Sequence, residues 1–177
     1  MAGITLNTIA GYLEQIKWRH RLVEPRIVLT GSQSRVRFYH YTFLIEVELG
    51  THWVNVRAFL QRHVPVAQRG SVLRYLSILN SQCHHVRFFL IEDCVVLQSE
   101  VSNVNCSSET FLNALQAVCR YARMAGVEIA VLSASPSVSA LFDRAESFVQ
   151  SSSAGSEADP LMEADLSFDI SANRLTD

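Results

Sequence analysis

The densest run of potential ligands in the sequence is Cys83-His84-His85, a thiol and two imidazoles that could contribute to a metal site if His63 or a distant acid joined them. Adjacent side chains diverge, however, and the trio falls where a helical pattern gives way to a strand pattern. A solvated turn is the expectation. The four cysteines, Cys83, Cys94, Cys106 and Cys119, follow one another at intervals of 11, 12 and 13 residues with no Cys-x-x-Cys pair, so buried, reduced thiols are expected rather than zinc or redox chemistry. His40 and His52 alternate with aromatic and apolar residues and read as outward-facing strand positions. Phosphate-binding loops need clustered glycines, and the seven glycines here are scattered, with no Gly-x-Gly-x-x-Gly and no Gly-Lys-Ser/Thr. His-Glu-x-x-His and the Gly-x-Ser-x-Gly elbow are absent as well. The sequence therefore offers no catalytic residue, no metal site and no cofactor, and the chain is expected not to be an enzyme.

Binding chemistry is better represented. Residues 18–90 carry ten arginines against three glutamates, and every basic residue of the chain except Lys17 is arginine. Such a surface suits an anionic partner. Arg35, Arg37, Arg57, Arg62, Arg69, Arg74 and Arg87 interleave with Phe38, Tyr39, Tyr41 and Trp53, a mixture that RNA-binding sheets use for phosphate contact and base stacking. A solvated sheet whose arginine stems cover apolar surface explains the same mixture. The candidate partner contacts are Tyr39 and Tyr41 on one strand, Trp53, Arg57 and Arg62 on the next strand and its exit, and Phe168 near the C-terminus.

The net charge of −2 hides an asymmetry: residues 150–177 hold six acids against Arg174 alone, while the rest of the chain is net positive. SSSAGSEADP is rich in Ser, Gly and acids, has no apolar face and reads as a linker, so a domain spanning residues 1–149 is expected to give way to a flexible acidic tail over 150–177. Within that tail, Leu166, Phe168 and Ile170 alternate among acids and could add to a sheet edge or fill a groove, on this chain or on a partner. The length suits one domain, and no apolar run reaches the roughly 18–20 residues of a membrane span. The N-terminus lacks the basic segment and continuous apolar run of a secretory signal, so a cytoplasmic location with no membrane partner is expected.

These residues must be positioned by a modest set of elements. Leu6, Ile9, Leu13 and Ile16 form one stripe of an amphipathic helix, with Thr5 or Asn7 as N-cap, and Pro25 stops any continuation. RIVLTG, VRFYHYTFLIEVEL and HWVNVRAFL read as three antiparallel strands, with Phe43, Ile45, Val47 and Leu49 facing the core in the middle one. From Gln68 the spacing is helical again, grouping Val72, Leu73, Leu76 and Leu79 until Asn80 and Ser81. VRFFLI and VVLQSEV flank the turn acids Glu92 and Asp93 as a second hairpin. A third helix follows Ser107, with Glu109 in its first turn and a stripe of Phe111, Leu112, Leu115, Val118, Cys119 and Ala122. Gly126 interrupts this stripe. Periodicity leaves residues 127–132 open between strand and helix, and Pro136 opens a short last helix.

The order helix, meander, helix, hairpin, helix resembles the YbjN family and, at the level of fold, the class I type III secretion chaperones. The residues that carry the likeness are the leading helix ending at IKWRH, the strand exit VNVRAFLQRHVP, the helix LRYLSILN ending in Asn80, and the hairpin VRFFLIEDCVVLQSEV followed by Ser107-Ser108-Glu109. They span residues 4 to about 125. Cys94 departs from the pattern, standing where a glycine commonly follows the turn acid. The elements read from the residues give an expected α+β fold with an antiparallel sheet of about five strands in the order α-β-β-β-α-β-β-α, covered by helices mostly on one face and followed by a C-terminal helix and a disordered tail, and the resemblance likewise implies an α+β module. It also implies a dimer-capable module that holds extended segments of other proteins; in the secretion chaperones those are effector polypeptides. The expected function is thus a protein-binding, chaperone-like or assembly adaptor holding a short segment of a client. An RNA-binding module using the arginine and aromatic face is the alternative.

Overall fold

The computed structural model describes residues 3–23, 26–29, 33–36, 39–104 and 106–134. Its first helix, α1 (Leu6–Gln15), opens at Thr5, whose hydroxyl accepts the backbone N–H of Thr8 and so satisfies one of the donors that a helix start leaves unpaired. Ile9 and Leu13 are buried, and Leu6 and Ile16 pack against the same core, as the spacing predicts. The other end closes as a Schellman motif: the Trp18 N–H bonds the Leu13 carbonyl and the Lys17 N–H bonds the Glu14 carbonyl, each at 2.9 Å.

That closure requires a left-handed backbone at Lys17, whose φ is 54°. The conformation costs a residue with a Cβ about 1–2 kcal/mol. Glycine escapes this cost but gives back about 0.4–1 kcal/mol through the entropy of the unfolded chain. Lys17→Gly is therefore expected to stabilise the protein by about 0.5–1 kcal/mol, seen as a higher urea midpoint at unchanged slope. A midpoint that stays put or falls would show that the lysine is not strained.

Among the described residues eight strands follow in two sheets: β1 (His20–Val23), β2 (Arg26–Leu29), β3 (Gln33–Val36), β4 (Tyr39–Thr42), β5 (Leu44–Leu49), β6 (Trp53–Gln61), β7 (Arg87–Ile91) and β8 (Cys94–Ser102). The main sheet is antiparallel throughout, in the order β1-β2-β5-β6-β8-β7, while β3 and β4 pair only with each other. The expected meander is β2-β5-β6 and the expected hairpin is β7-β8. Two strands are added, β1 at the sheet edge and β3, which ends at Val36, and the rest of the long middle run divides into β4 and β5. The β7-β8 turn is closed by Glu92 at φ 58° and Asp93, with Ile91 directly opposite Cys94, so the backbone bends at Glu92 and needs no glycine at Cys94.

One face of this sheet makes the core. Ile45 and Val47 of β5, Val54, Val56, Ala58 and Leu60 of β6, and Val95 and Leu97 of β8 are all buried on it, with Phe43 just before β5. Alternation with period 2 puts them on a single side. The helices α2 (Arg69–Asn80), reached through a short 3₁₀ turn at Val66–Gln68, and α3 (Ser108–Ala134) close over them. In α2 the buried residues are Val72, Tyr75, Leu76 and Leu79; Leu73, grouped with the stripe by its spacing, is exposed, and Tyr75 takes the inward place. α3 is capped by the Ser107 hydroxyl, which accepts the Thr110 N–H at 3.1 Å, and carries Glu109 in its first turn.

Residues 127–132 are helical. α3 runs straight through Gly126 because its inward stripe continues as Ala122, Ala125, Ile129 and Leu132, all buried. Their burial outweighs the roughly 1 kcal/mol that a helical glycine costs relative to alanine. The expected last helix after Pro136, the domain boundary near residue 149 and the acidic tail lie outside the described residues. None of the described helices is long and apolar enough to cross a membrane.

Candidate functional site

The four strands β5, β6, β8 and β7 present their second face away from the helices, and the register sorts its side chains into rows. Leu44 lies opposite Phe59, Phe59 opposite Val96, and Val96 opposite Phe89, giving an unbroken apolar row across all four strands. Ile91 and Cys94, also paired, extend it toward the β7-β8 turn. Phe89 is 42% exposed and Ile91 52%, whereas Val96 between the two phenylalanines is 2% exposed. Val96 is buried without belonging to the main core cluster. No described helix lies on this row.

The next rows are polar and linked to one another, with Asn55 Oδ1 buried in them and without a hydrogen-bond partner among the described residues. Arg57 Nη1 meets Glu48 Oε2 at 2.7 Å, Arg57 Nε donates to Gln98 Oε1 at 2.7 Å, and Gln98 Nε2 donates to Glu100 Oε1 at 2.6 Å. On the other side, Arg26 Nη1 reaches Glu46 at 3.3 Å and Arg26 Nη2 lies 3.8 Å from Glu48. This ladder links β2, β5, β6 and β8. Such opposite-charge pairs across strands contribute roughly 0.2–1 kcal/mol each.

The apolar row meets a recess of about 250 Å³ at the β7 edge, lined by His84, His85, Val86, Arg87, Phe89, Gln98 and Glu100. Arg87 donates through Nη1 to the carbonyls of Cys83 and Val86, which pins its stem beside the recess. The free edge of β7 is guarded at one point. Asn80, the last residue of α2, donates from Nδ2 to the Phe88 carbonyl and accepts the Phe88 N–H at Oδ1, both at 2.8 Å. A side-chain amide thus imitates the next strand.

The cysteines are free. Cys83, Cys106 and Cys119 are buried and Cys94 is half-buried, and burial raises all four thiols, Cys83 to about 11 and Cys119 to about 12. They are poor nucleophiles. His84 and His85 point to solvent in the turn while Cys83 points inward, so the trio diverges as expected. Among the described residues no group of three or more His, Cys, Asp or Glu side chains could hold a metal ion. His63 Nδ1 stands 2.6 Å from Asp93 Oδ2, and that bond holds the Asp93 carboxyl below its usual range.

The candidate residues named from sequence are scattered by this geometry. Trp53 and Arg57 share the open face of β6, Trp53 at its far end and exposed, Arg57 tied into the ion ladder. Arg62 is exposed just beyond β6 and close enough to Cys94 to favour its thiolate. Tyr39 and Tyr41 sit on β4, opposite Val36 and Ser34 in the separate hairpin, and Phe168 lies outside the described residues. Sequence reasoning missed Leu44, Phe59, Phe89 and Val96. Their signal was present as the outward set of each alternating strand, but only the register joins four strands into one row.

No family model and no curated protein matches this chain. Among solved structures, the crystal structure of YbjN from E. coli, described there as a candidate transcription regulator, aligns with a TM-score of 0.54 at 14% identity, covering 72% of this chain and 96% of that one. The likeness is one of fold. It agrees with the YbjN-like arrangement that the order of elements implies, and at this identity it carries no residue roles.

Proposed function

We propose that this chain is a non-enzymatic protein-binding module, a chaperone-like or assembly adaptor of the cytoplasm that holds a short extended segment of a client protein. The observation that supports this is the apolar row Leu44–Phe59–Val96–Phe89 with Ile91, spread over four strands of a face that no described helix covers. Large apolar side chains left exposed, here Phe89 and Ile91 beside half-buried Leu44 and Phe59, mark interaction sites. A flat row about four strands wide, some 15 Å at a strand spacing of about 4.8 Å, fits an extended peptide better than a small molecule.

The RNA reading has less support. Arg57 and Arg26, which would meet phosphates, are engaged by Glu46, Glu48 and Gln98, and those carboxylates would face the nucleic acid backbone. A photo-crosslinking residue placed at Phe89 in the native host tests both readings, with the same residue at exposed Asn113 on α3 as control. We expect Phe89 to capture discrete peptide segments with apolar residues at alternate positions, and Asn113 to capture none of them. Equal capture at both positions overturns the face as the site, and capture of RNA at Phe89 replaces the protein reading with the alternative.

A further inference from the structure

The apolar row and the recess meet at Phe89, so the site has two halves of different chemistry. One half is a strip of Leu44, Phe59, Val96 and Phe89. The other is lined by the imidazoles of His84 and His85 and the guanidinium of Arg87, with Glu100 already bonded to Gln98. The turn acids Glu92 and Asp93 stand at the opposite end of β7, Asp93 directed to His63. A ligand suited to both halves has apolar side chains at alternate positions, with carboxylates beside them that lie toward Arg87 rather than toward the turn.

The chain contains such a segment. Glu163-Ala-Asp165-Leu166-Ser-Phe168-Asp169-Ile170 alternates apolar and acidic residues, within a stretch of six acids against one arginine. The geometry of the fold also brings it within reach. α3 begins beside α1, where the tilted rings of Tyr12 and Phe111 pack with centroids 6.2 Å apart, and runs for 27 residues, about 40 Å at 1.5 Å per residue. α3 starts shortly after β8 ends, at the end of the sheet that bears Trp53, and also contacts β4 and the 3₁₀ turn after β6, which lie toward the end that bears Leu44 and Phe59. Its 27 residues therefore carry the chain toward that end along the helix-covered face, finishing at Ala134. From there 31 residues precede Leu166, and even a random coil of that length spans about 30 Å, enough to turn around the sheet end onto the open face.

We infer that residues 163–170 of this same chain occupy the open face, with Phe168 against Phe89 and Phe59 and the flanking aspartates at Arg87, so that a client must displace them. This rests on the reading of the open face as a segment-binding site. Intramolecular tethering supplies an effective concentration in the millimolar range, so a contact with a dissociation constant well below that range keeps the face occupied.

The test uses the full chain and a full chain carrying Leu166→Ser, Phe168→Ser and Ile170→Ser, with a fluorescent synthetic peptide of residues 160–172 as the probe in an anisotropy titration. The expected result is that the triple variant binds the peptide at least about ten-fold more tightly than the parent, that binding weakens between 50 and 500 mM salt as charge screening requires, and that adding Arg87→Gln to the triple variant weakens it again. Equal affinity of parent and triple variant overturns self-occupancy and leaves the face free to serve clients. Absence of binding to the triple variant also overturns it, while the crosslinking at Phe89 judges the client reading separately.

Discussion

Asn80→Ala is expected to cost about 2–4 kcal/mol of folding stability, a large loss for one side chain on the outside of a helix end. The carboxamide makes two bonds to one peptide unit, donating to the Phe88 carbonyl and accepting the Phe88 N–H, each at 2.8 Å. Phe88 is buried, so both backbone groups sit where alanine leaves them without a partner. Each buried group left unsatisfied costs about 1–3 kcal/mol, and the edge position lets water recover part of that. Urea unfolding measures the loss. Asn80→Asp separates the two bonds, because a carboxylate accepts the N–H but cannot donate to the carbonyl, so it should recover less than half of the deficit. A loss below about 1 kcal/mol for alanine would mean that the bonds merely coexist with a stable edge. The variant should also self-associate as concentration rises, since an uncapped edge strand offers a template to another chain.

Asn80 shows how far a residue can be visible in sequence without its role being so. Its position at the end of LRYLSILN marks a helix stop, and that much is a local property. That its amide would then pair with Phe88, eight residues on, depends on how α2 lies beside β7. Asn103 repeats the lesson. Its Oδ1 accepts the Ile4 N–H at 2.7 Å and its Nδ2 donates to the Gly50 carbonyl at 2.9 Å, tying the chain start to the β5-β6 turn across about a hundred residues. A Cβ on Gly3 would stand 2.7 Å from Asn103 Oδ1, so glycine there permits the approach. Nothing near Asn103 in sequence announces any of this.

The elements themselves were more legible wherever one face alone is buried. Strand β6 alternates buried and partly exposed residues along most of its length, and α1 and α3 carry clean stripes, because burial on a single side imposes the period. Strand β1 was hidden for the converse reason. At the sheet edge its residues are mostly exposed, Leu22 and Val23 included, so no alternation separates it from a loop. The run from Val36 to Leu49 read as one strand because β-propensity is continuous through it, whereas β4 folds back on β3 and only β5 enters the main sheet. Arg57 was legible as a basic residue on an outward face. Its engagement follows from register, which sets Glu46 directly opposite it and leaves Glu48 one step along β5.

The same register makes the second large prediction, because it separates Phe89 from Trp53 at opposite ends of the open face. Phe89→Asp is expected to weaken binding of a segment captured at this face by about 2–4 kcal/mol, roughly 30- to 1,000-fold. Phe89 combines the features of a binding anchor: an aromatic ring, 42% exposed, seated beside buried Val96 at the junction of apolar row and recess. An aspartate there removes the apolar contact and opposes the acids of an acidic ligand. Because much of the ring already faces solvent, folding stability should fall by only about 1 kcal/mol, within the ordinary range for a partly exposed site. Phe89→Leu should keep most of the affinity, since it keeps a large apolar side chain opposite Val96 in the row. Trp53→Asp is the discriminating partner. Trp53 is more exposed than Phe89, at 52%, but lies three rows away, opposite Ser102, so its loss should leave affinity within about two-fold. Titration of the three variants with the captured segment decides the matter: if Trp53→Asp weakens binding and Phe89→Asp does not, the ligand runs along the Trp53 end of the sheet and the apolar row is not its site.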